Sequence, residues 1–479
     1  MKLSSLLKNT DIIRANIDLG TEIKDIKYHS DKVEKGDVFV AIKGNSTNGY
    51  FFIDSALEKG AVCVICETVP KDSDVPFVVV RDARKALAEM SKEFFGRPDE
   101  KLRMAGVTGT NGKTSTTYFI KEILESIYPS QVGLIGTNQN LVGGKPYVST
   151  NTTPQSYDVY KLLREMCDAG CKYCVMEVSS HAMEQHRVHG IHFEAAVFTN
   201  FSQDHLDFHT NMENYKNAKR KLFEQADYCV INIDDGTFND LVKDGRHRTL
   251  TYSAMSENAD LSAKNIATKG YKVEFEAAAK DSATRISVPV PGLFTVYNSL
   301  AAAGCALIFG IGLSDIALAL KTAKSVIGRY ERVECGKPFD VIIDYAHTPE
   351  GMESVLSMTR QITKGRVITV FGCGGDRDKT KRPKMGRAAV KYSDICIITS
   401  DNSRSENPLQ IAYDTLKGAK DAENCTVDMI QERKDAILYA MSLAKEGDTV
   451  ILLGKGHELY LDRGGKKEYF NERDIVKNA

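Results

Sequence analysis

Gly106-Val107-Thr108-Gly109-Thr110-Asn111-Gly112-Lys113-Thr114 is the stretch on which the reading of the whole chain turns. It ends an apolar, strand-like run over residues 104–107 and leads into a segment, 115–126, with helical periodicity. A strand, a glycine-rich turn and a helix start in that order form a cradle for phosphate. Main-chain N–H groups point at the oxygens, a lysine neutralises charge, and a hydroxyl reaches a divalent cation. Gly109, Thr110, Asn111, Gly112, Lys113 and Thr114 are therefore expected to hold a nucleoside triphosphate, ATP or GTP. The spacing is not the strict form, because glycines fall at 106 and 109 while the regular pattern would begin at Val107. An accidental Lys-Thr after a flexible turn is the competing reading, and the agreement of strand, loop and helix weighs against it.

Working outward, short apolar runs alternate with amphipathic segments along most of the 479 residues. Strands are expected at 37–42, 61–66, 77–80, 104–107, 132–135, 173–178, 195–198, 341–344, 367–371, 395–399 and 449–453. Helices are expected at 115–126, 298–309 and 434–444. Such alternation predicts α/β domains built on mainly parallel sheets. The stretch 251–287 is more polar and reads as an antiparallel excursion. A chain of this length suggests about three domains, with boundaries near Gly96-Arg97-Pro98-Asp99 and Gly328-Arg329-Tyr330-Glu331. The expected division is 1–100, 101–330 and 331–479.

Sixty-three Lys and Arg residues against 64 Asp and Glu leave a net charge of −1, with no broad electrostatic handle for nucleic acid or an anionic membrane. No window approaches the roughly 18 apolar residues of a membrane span, and the start, Met1-Lys2-Leu3-Ser4-Ser5-Leu6-Leu7-Lys8, is broken by charge before a signal sequence can form. A cytoplasmic protein is expected. The eleven cysteines read as reduced thiols, since an odd number in that compartment argues against a disulfide framework. Cys63 and Cys66 should face opposite sides of a strand. Cys167, Cys171 and Cys174 lack a fourth zinc ligand, and His181, His186, His189, His192 and His209 fit substrate contact or helix surface better than a zinc site.

Other blocks carry a family likeness. They are Asn151-Thr152-Thr153-Pro154, Met176-Glu177-Val178-Ser179-Ser180-His181, Asp204-His205-Leu206-Asp207 and Tyr215 through Lys219. The last third adds Asp344-Tyr345-Ala346-His347, Gly372-Cys373-Gly374-Gly375-Asp376-Arg377-Asp378, Asp401-Asn402-Ser403-Arg404 and Gly454-Lys455-Gly456-His457-Glu458. Together with Thr108–Thr114, these blocks span the chain in the order of the Mur ligases, and the sequence resembles that family. The resemblance implies a three-domain α/β architecture: an N-terminal UDP-binding domain, a central P-loop ATPase domain and a Rossmann-like C-terminal domain for an amino acid.

It also implies a reaction, an amide ligation at the cost of ATP. The substrate would be UDP-N-acetylmuramoyl-L-alanyl-D-glutamate, activated as an acyl phosphate and joined to a diamino acid. By resemblance, Ser115, Asn298, Arg329 and Asp344 complete the ATP site. Thr114, Glu177, His205 and Lys219 hold Mg²⁺, with Lys219 carbamylated (N6-carboxylysine), and His181 assists Lys113 in catalysis. On chemistry alone Glu177 and Thr114 suit Mg²⁺. His205 alone would be read as a structural histidine and Lys219 as a solvated helix-face lysine. Ser30, Asn45, Ser46, Thr47, Asn151, Thr152, Thr153, Ser179, Gln185 and Arg187 are implied to bind the UDP-muramoyl-dipeptide. The N-terminal part departs from the family, with Tyr28-His29-Ser30-Asp31 and Asn48-Gly49-Tyr50 in place of Asp-Ser-Arg and Asp-Gly-His.

Arg377, Asp401, Asn402, Ser403, Arg404, Gly454 and Glu458 are implied to bind the amino acid. Arg404 keeps the planar fork that matches a carboxylate, which points to meso-diaminopimelate. Ser403 stands where such members carry proline, so lysine stays open, as does a sister ligase. A P-loop switch that only changes shape on binding nucleotide is the alternative outside enzymes. A monomer is expected.

Overall fold

The computed structural model describes residues 1–479 except Asn45, Ser46, Asp72, Ser73, Thr150, Asp244, Arg246, Asp281 and Asp421. The chain divides into two compact units, Met1–Thr108 with Leu124–Val197 and Ala218–Cys229, and Gly109–Ile123 with Phe198–Asn217 and Val230–Ala479.

The first unit begins with a five-stranded sheet. Its spatial order is Ile12–Ala15, Phe77–Val80, Cys63–Cys66, Val38–Val40, Ile26–Lys27, and only the first strand is antiparallel. The inner strands are β-branched and buried on both faces, as parallel strands covered on both sides must be. Cys63 and Ile65 pack with Leu3, Leu6, Leu87 and Met90, whereas Val64 and Cys66 pack with Phe39, Ile53 and Phe77. The two cysteines thus face opposite sides, as the period of two required. Helix Ala83–Phe94 starts at Asp82, whose Oδ1 accepts from the N–H groups of Arg84 (2.9 Å) and Lys85 (3.0 Å), satisfying donors that a helix start leaves open. The same unit holds the strand Arg103–Thr108, paired in parallel with Tyr173–Glu177, which pairs in turn with Val132–Ile135.

In the second unit the polar stretch forms an antiparallel set, Leu261–Lys269, Lys272–Ala279 and Ser282–Val288. The C-terminal part is a six-stranded sheet in the order Glu331–Val333, Asp340–Asp344, Thr449–Leu453, Val367–Phe371, Ile395–Ile398, Thr426–Met429, parallel after the first strand. Alternate residues go to opposite cores: Ile342, Ile451 and Phe371 on one face, Val341, Val450 and Val370 on the other. Helices Pro349–Ile362, Lys381–Tyr392, Pro408–Leu416 and Arg433–Leu443 connect the strands. Strand Thr449–Leu453 lies between Asp340–Asp344 and Val367–Phe371, so chain order reverses there. Ligands of open α/β sheets collect at the carboxyl ends beside such a reversal. Among the described residues no helix is long and apolar enough to cross a membrane.

Candidate active site

The glycine-rich loop sits where its sequence placed it, between the strand ending at Thr108 and the helix Lys113–Ile127. Gly109 has φ +149° and Gly112 φ +84°, conformations that favour a residue without Cβ. A Cβ on Gly109 would lie 1.9 Å from Thr199 Oγ1, and one on Gly112 would lie 2.4 Å from Asn298 Oδ1. Polar side chains therefore press on the loop from outside and fix its path. Thr199 Oγ1 donates to the Asn111 carbonyl (2.6 Å), Asn200 Oδ1 accepts from the Asn111 N–H (2.9 Å), and the Thr110 N–H donates to the Asn200 carbonyl (2.8 Å). Lys113 Nζ donates to the carbonyls of Gly109 (3.0 Å) and Thr110 (2.8 Å), which holds its charge over the loop.

Three further residues expected at the ATP site lie in the same unit. Arg329 Nη2 donates to Thr114 Oγ1 at 3.0 Å, and its guanidinium lies 4.5 Å from the ring centre of Tyr345. Asn298 Oδ1 accepts from Thr116 Oγ1 at 3.4 Å. Asp344 is different: its oxygens accept from the backbone N–H groups of Tyr330 (2.6 Å) and Ala346 (2.7 Å). Burial raises its carboxyl pKa against the pull of Arg329. Its visible role is to set the turn after its strand.

A pocket of about 140 Å³ opens at the carboxyl ends of the C-terminal sheet. Its lining includes Asp204, His205, Tyr345, His347, Gly372, Cys373, Arg377, Lys381, Asp401, Asn402, Arg404, Gly454 and Glu458. Of the residues expected to bind an amino acid, only Ser403 is outside this lining, and it is buried in the same loop. Arg404 has φ +50° and donates through Nη1 to the Gly375 carbonyl at 2.7 Å, tying two loops together. Glu458 Oε2 accepts from Asn402 Nδ2 (2.8 Å) and Lys455 Nζ (3.0 Å). Asp401 is buried, which would raise its pKa, but Lys455 and Arg433 more than offset this and keep it an anion. Two guanidinium groups and a glutamate facing one small cavity match a molecule that carries both carboxylate and ammonium.

The far wall of this pocket was less legible. Asp204 is buried, with Lys381 Nζ at 3.7 Å, His205 Nε2 at 3.4 Å and His347 Nε2 at 3.8 Å. Burial would raise its pKa, yet His205, Lys381 and His347 hold it well below the usual carboxylate range. Burial and Lys381 push His347 down to about 4, so it is neutral near pH 7. Sequence reading named neither Lys381 nor a role for Asp204. The available signal was Asp204 next to His205, and nothing at that spacing pointed to residue 381.

In the first unit, Glu177 ends its strand in register with Val107, the last residue but one of the strand Arg103–Thr108. Thr137 donates to both of its oxygens, from N–H at 2.8 Å and Oγ1 at 2.9 Å. Thr153 Oγ1 donates to the Glu177 carbonyl (2.8 Å) and accepts from the Ser179 N–H (3.1 Å), while Thr152 Oγ1 and Thr137 Oγ1 lie 3.1 Å apart. Arg187 donates to the Thr153 carbonyl (2.6 Å) and to Gln185 Oε1 (2.7 and 3.1 Å). Thr152, Thr153, Ser179, Gln185 and Arg187 are thus one bonded cluster beside Glu177. Asn151 is exposed next to it, and His181 lies on the short helix Ser180–Glu184 that Ser179 caps.

Lys219, on the helix Met212–Arg220, is only 1% exposed, against the ordinary reading of a solvated helix face. Ser30 lies in a single turn, Ser30–Lys32, whose first carbonyl accepts from Lys59 Nζ at 3.0 Å. The Thr47 carbonyl accepts from the Gly44 N–H at 2.8 Å. Asn45 and Ser46 lie outside the described residues.

A braced glycine-rich loop at a helix start, together with a pocket at a strand-order reversal whose lining suits a small zwitterion, gives this chain the features of a P-loop α/β protein. Three family models cover the chain: "Mur ligase family, catalytic domain" at residues 22–95, "Mur ligase middle domain" at 107–306 and "Mur ligase, glutamate ligase domain" at 328–456. A protein of Clostridium acetobutylicum named UDP-N-acetylmuramoyl-L-alanyl-D-glutamate--2,6-diaminopimelate ligase 1 is 44% identical, over 99% of this chain and 98% of its own length. One of Caldanaerobacter subterraneus subsp. tengcongensis, named as the same ligase, is 45% identical over 100% and 98%. A solved structure of a ligase of that name aligns with TM-score 0.70 and 29% identity, covering 100% of this chain and 98% of the other. The chain belongs to the Mur ligase family and has its three-domain architecture.

Proposed function

We propose that this chain is the ATP-dependent ligase that joins meso-diaminopimelate to UDP-N-acetylmuramoyl-L-alanyl-D-glutamate in the synthesis of peptidoglycan precursors. The observation that carries the amino-acid assignment is the pocket in which Arg377 and Arg404 face Glu458. One end of a diamino dicarboxylate needs anion receptors, and its ammonium needs an acid. We assign residues 1–100 to UDP binding, 101–330 to ATP and 331–479 to the amino acid, and infer a cytoplasmic monomer.

The substrate carboxylate attacks the γ-phosphorus of ATP, the bond to the β-phosphate oxygen breaks, and ADP leaves an acyl phosphate. The amine of the diamino acid then attacks the acyl carbon, and inorganic phosphate departs with the formation of the amide. Phosphoryl transfer asks the protein mainly for alignment and charge neutralisation. Lys113 and the main-chain N–H groups at the start of its helix supply these, with Ser115, Asn298, Arg329 and Asp344 shaping the nucleotide site and His181 stabilising phosphoryl oxygens. The Thr152–Arg187 cluster, with Asn151 and with Ser30 and residues 45–47 at the uridine end, binds the UDP-dipeptide. Asp401, Asn402, Ser403 and Gly454 shape the amino-acid loop.

Thr114, Glu177, His205 and carbamylated Lys219 are the residues we assign to Mg²⁺, which when bound neutralises phosphate oxygens. The donor chemistry fits: Glu177 is a hard, buried carboxylate whose two oxygens accept from Thr137. Lys219 is buried on the helix Met212–Arg220. Adding CO₂ to its neutral amine, with loss of a proton, gives an anionic carbamate suited to a cation.

ADP release with the UDP-dipeptide and a panel of amino acids tests the reading. meso-Diaminopimelate should stimulate most, and preference for lysine would convert the assignment to the lysine-adding version. ADP release indifferent to the UDP-dipeptide would leave only a nucleotide switch. Lys219→Ala should nearly abolish synthesis, and added bicarbonate should not rescue it.

A further inference from the structure

Arg84 is the second residue of the helix Ala83–Phe94, and no role falls to it from the reading above. Its Nη2 donates to the Lys43 carbonyl at 2.6 Å. Its Nη1 is buried and has no hydrogen-bond partner among the described residues. Asp82, which caps the helix, places Oδ2 3.4 Å from Nε2 of His186, and the next residue is Arg187. The Arg187 guanidinium is bonded to neutral oxygens, those of Thr153 and Gln185. Among the described residues neither arginine has a carboxylate within ion-pair distance.

Two partly desolvated cations are thus gathered at one place. Burial pushes Arg187 down to about 10, and the charge of Arg84 adds to this. Burial also lowers Arg84, against the milder pull of Asp82 and Glu67. Like charges brought together away from water are unfavourable unless an anion joins them. A guanidinium with a buried, open N–H is shaped to take an oxyanion.

We propose that Arg84 is a further binding residue, sharing with Arg187 an oxyanion of the UDP-linked substrate. This rests on the assignment of that substrate. The oxyanion belongs either to the diphosphate or to a carboxylate of the dipeptide. Arg84 reaches the site from the side of Lys43, and Arg187 reaches it from the side of Thr153.

Calorimetric titration of the full chain with UDP-N-acetylmuramoyl-L-alanyl-D-glutamate tests this on wild type, Arg84→Gln and Arg84→Lys. Glutamine keeps an N–H for the Lys43 carbonyl but no charge; lysine keeps the charge. Gln should weaken binding by about tenfold or more, as for lost charged hydrogen bonds, and Lys should recover part of it. The KM for ATP should not move. UDP-N-acetylglucosamine, which has the diphosphate without the dipeptide, identifies the source. Equal weakening with it assigns the diphosphate, and an unchanged affinity assigns the carboxylate. Wild-type affinity in Arg84→Gln overturns the proposal, as does equal loss in Gln and Lys with a lowered Tm. A wild-type protein that turns over the UDP-dipeptide while Arg84→Gln binds it normally refutes only the Arg84 assignment. A wild type that neither binds nor uses the UDP-dipeptide refutes the substrate reading itself.

Discussion

Arg329 Nη2 donates to Oγ1 of Thr114 at 3.0 Å, joining residues 215 positions apart in sequence. The hydroxyl beside Lys113 is therefore oriented by a guanidinium from just before the C-terminal sheet, and that guanidinium is itself held against the ring of Tyr345. The proposed nucleotide site thus draws on residues well outside the phosphate loop. Arg329→Ala should raise the KM for ATP by about 10- to 100-fold, the range expected when a charged hydrogen bond is lost, while the KM for the UDP-dipeptide changes little. Lysine at 329 should restore only part, since it lacks the planar fork and the stack. Steady-state kinetics with each substrate varied in turn decides this.

Loop rigidity makes a second, steric prediction. Alanine at Gly109 would place Cβ 1.9 Å from Thr199 Oγ1, and at Gly112 2.4 Å from Asn298 Oδ1, both at positive φ. Either the loop or its braces must move, so Gly109→Ala and Gly112→Ala should each lose most ATP turnover. Gly312→Ala is the control: among the described residues nothing lies within 4 Å of its Cβ, and its φ is −74°. It should behave as wild type in activity and Tm. Full activity in Gly109→Ala would show that the loop is looser than these contacts imply.

Those positions also show what a linear sequence can disclose. The loop was legible because strand, turn and helix start are contiguous, and buried parallel strands such as Val367–Phe371 announce themselves as apolar runs. The exposed edge strand Ile12–Ala15 and the hairpin Asn140–Val142 with Lys145–Tyr147 have no such run and passed unread. Arg377, Arg404 and Glu458 could be grouped through family resemblance. Lys381 could not, because its approach to Asp204 is made by folding alone. Lys219 sits in the polar helical stretch Asn217-Ala218-Lys219-Arg220, and only packing reveals that its long side chain is covered.

His457 gives a stability prediction with a definite sign. Its ring centre lies 4.9 Å from that of Tyr345, and its Nδ1 is buried without a hydrogen-bond partner among the described residues. Burial, reinforced by Arg329, Arg473 and Lys455, pushes it down to about 3, from an unfolded value of about 6.5. Between those two values the unfolded chain binds a proton that the folded chain refuses. The contribution is therefore complete above about pH 6.5 and is lost as pH falls toward the folded value. Tm should fall between about pH 7 and pH 5, and His457→Gln should fall less steeply. Asp401, held below its usual range, makes its loss at lower pH, since carboxylates titrate near 4 when unfolded. Parallel Tm curves for wild type and His457→Gln would remove His457 from the account.

Arg404 tests the amino-acid assignment most directly. Its φ of +50° is unusual for a residue with a Cβ, and its Nη1 bond to the Gly375 carbonyl holds the guanidinium over the pocket. Ser403, buried in the same loop, leaves φ unlocked where proline would fix it, so the aim of Arg404 rests on that bond and on the backbone around it. A guanidinium gripping the distal carboxylate of meso-diaminopimelate has nothing comparable to grip on lysine, which ends in an ammonium. Arg404→Ala should therefore raise the KM for meso-diaminopimelate by about 10- to 100-fold, with a much smaller change in the residual activity on lysine. Equal losses for both amino acids would mean that Arg404 only supports the loop, and the choice of substrate would then have to come from Arg377 and Glu458.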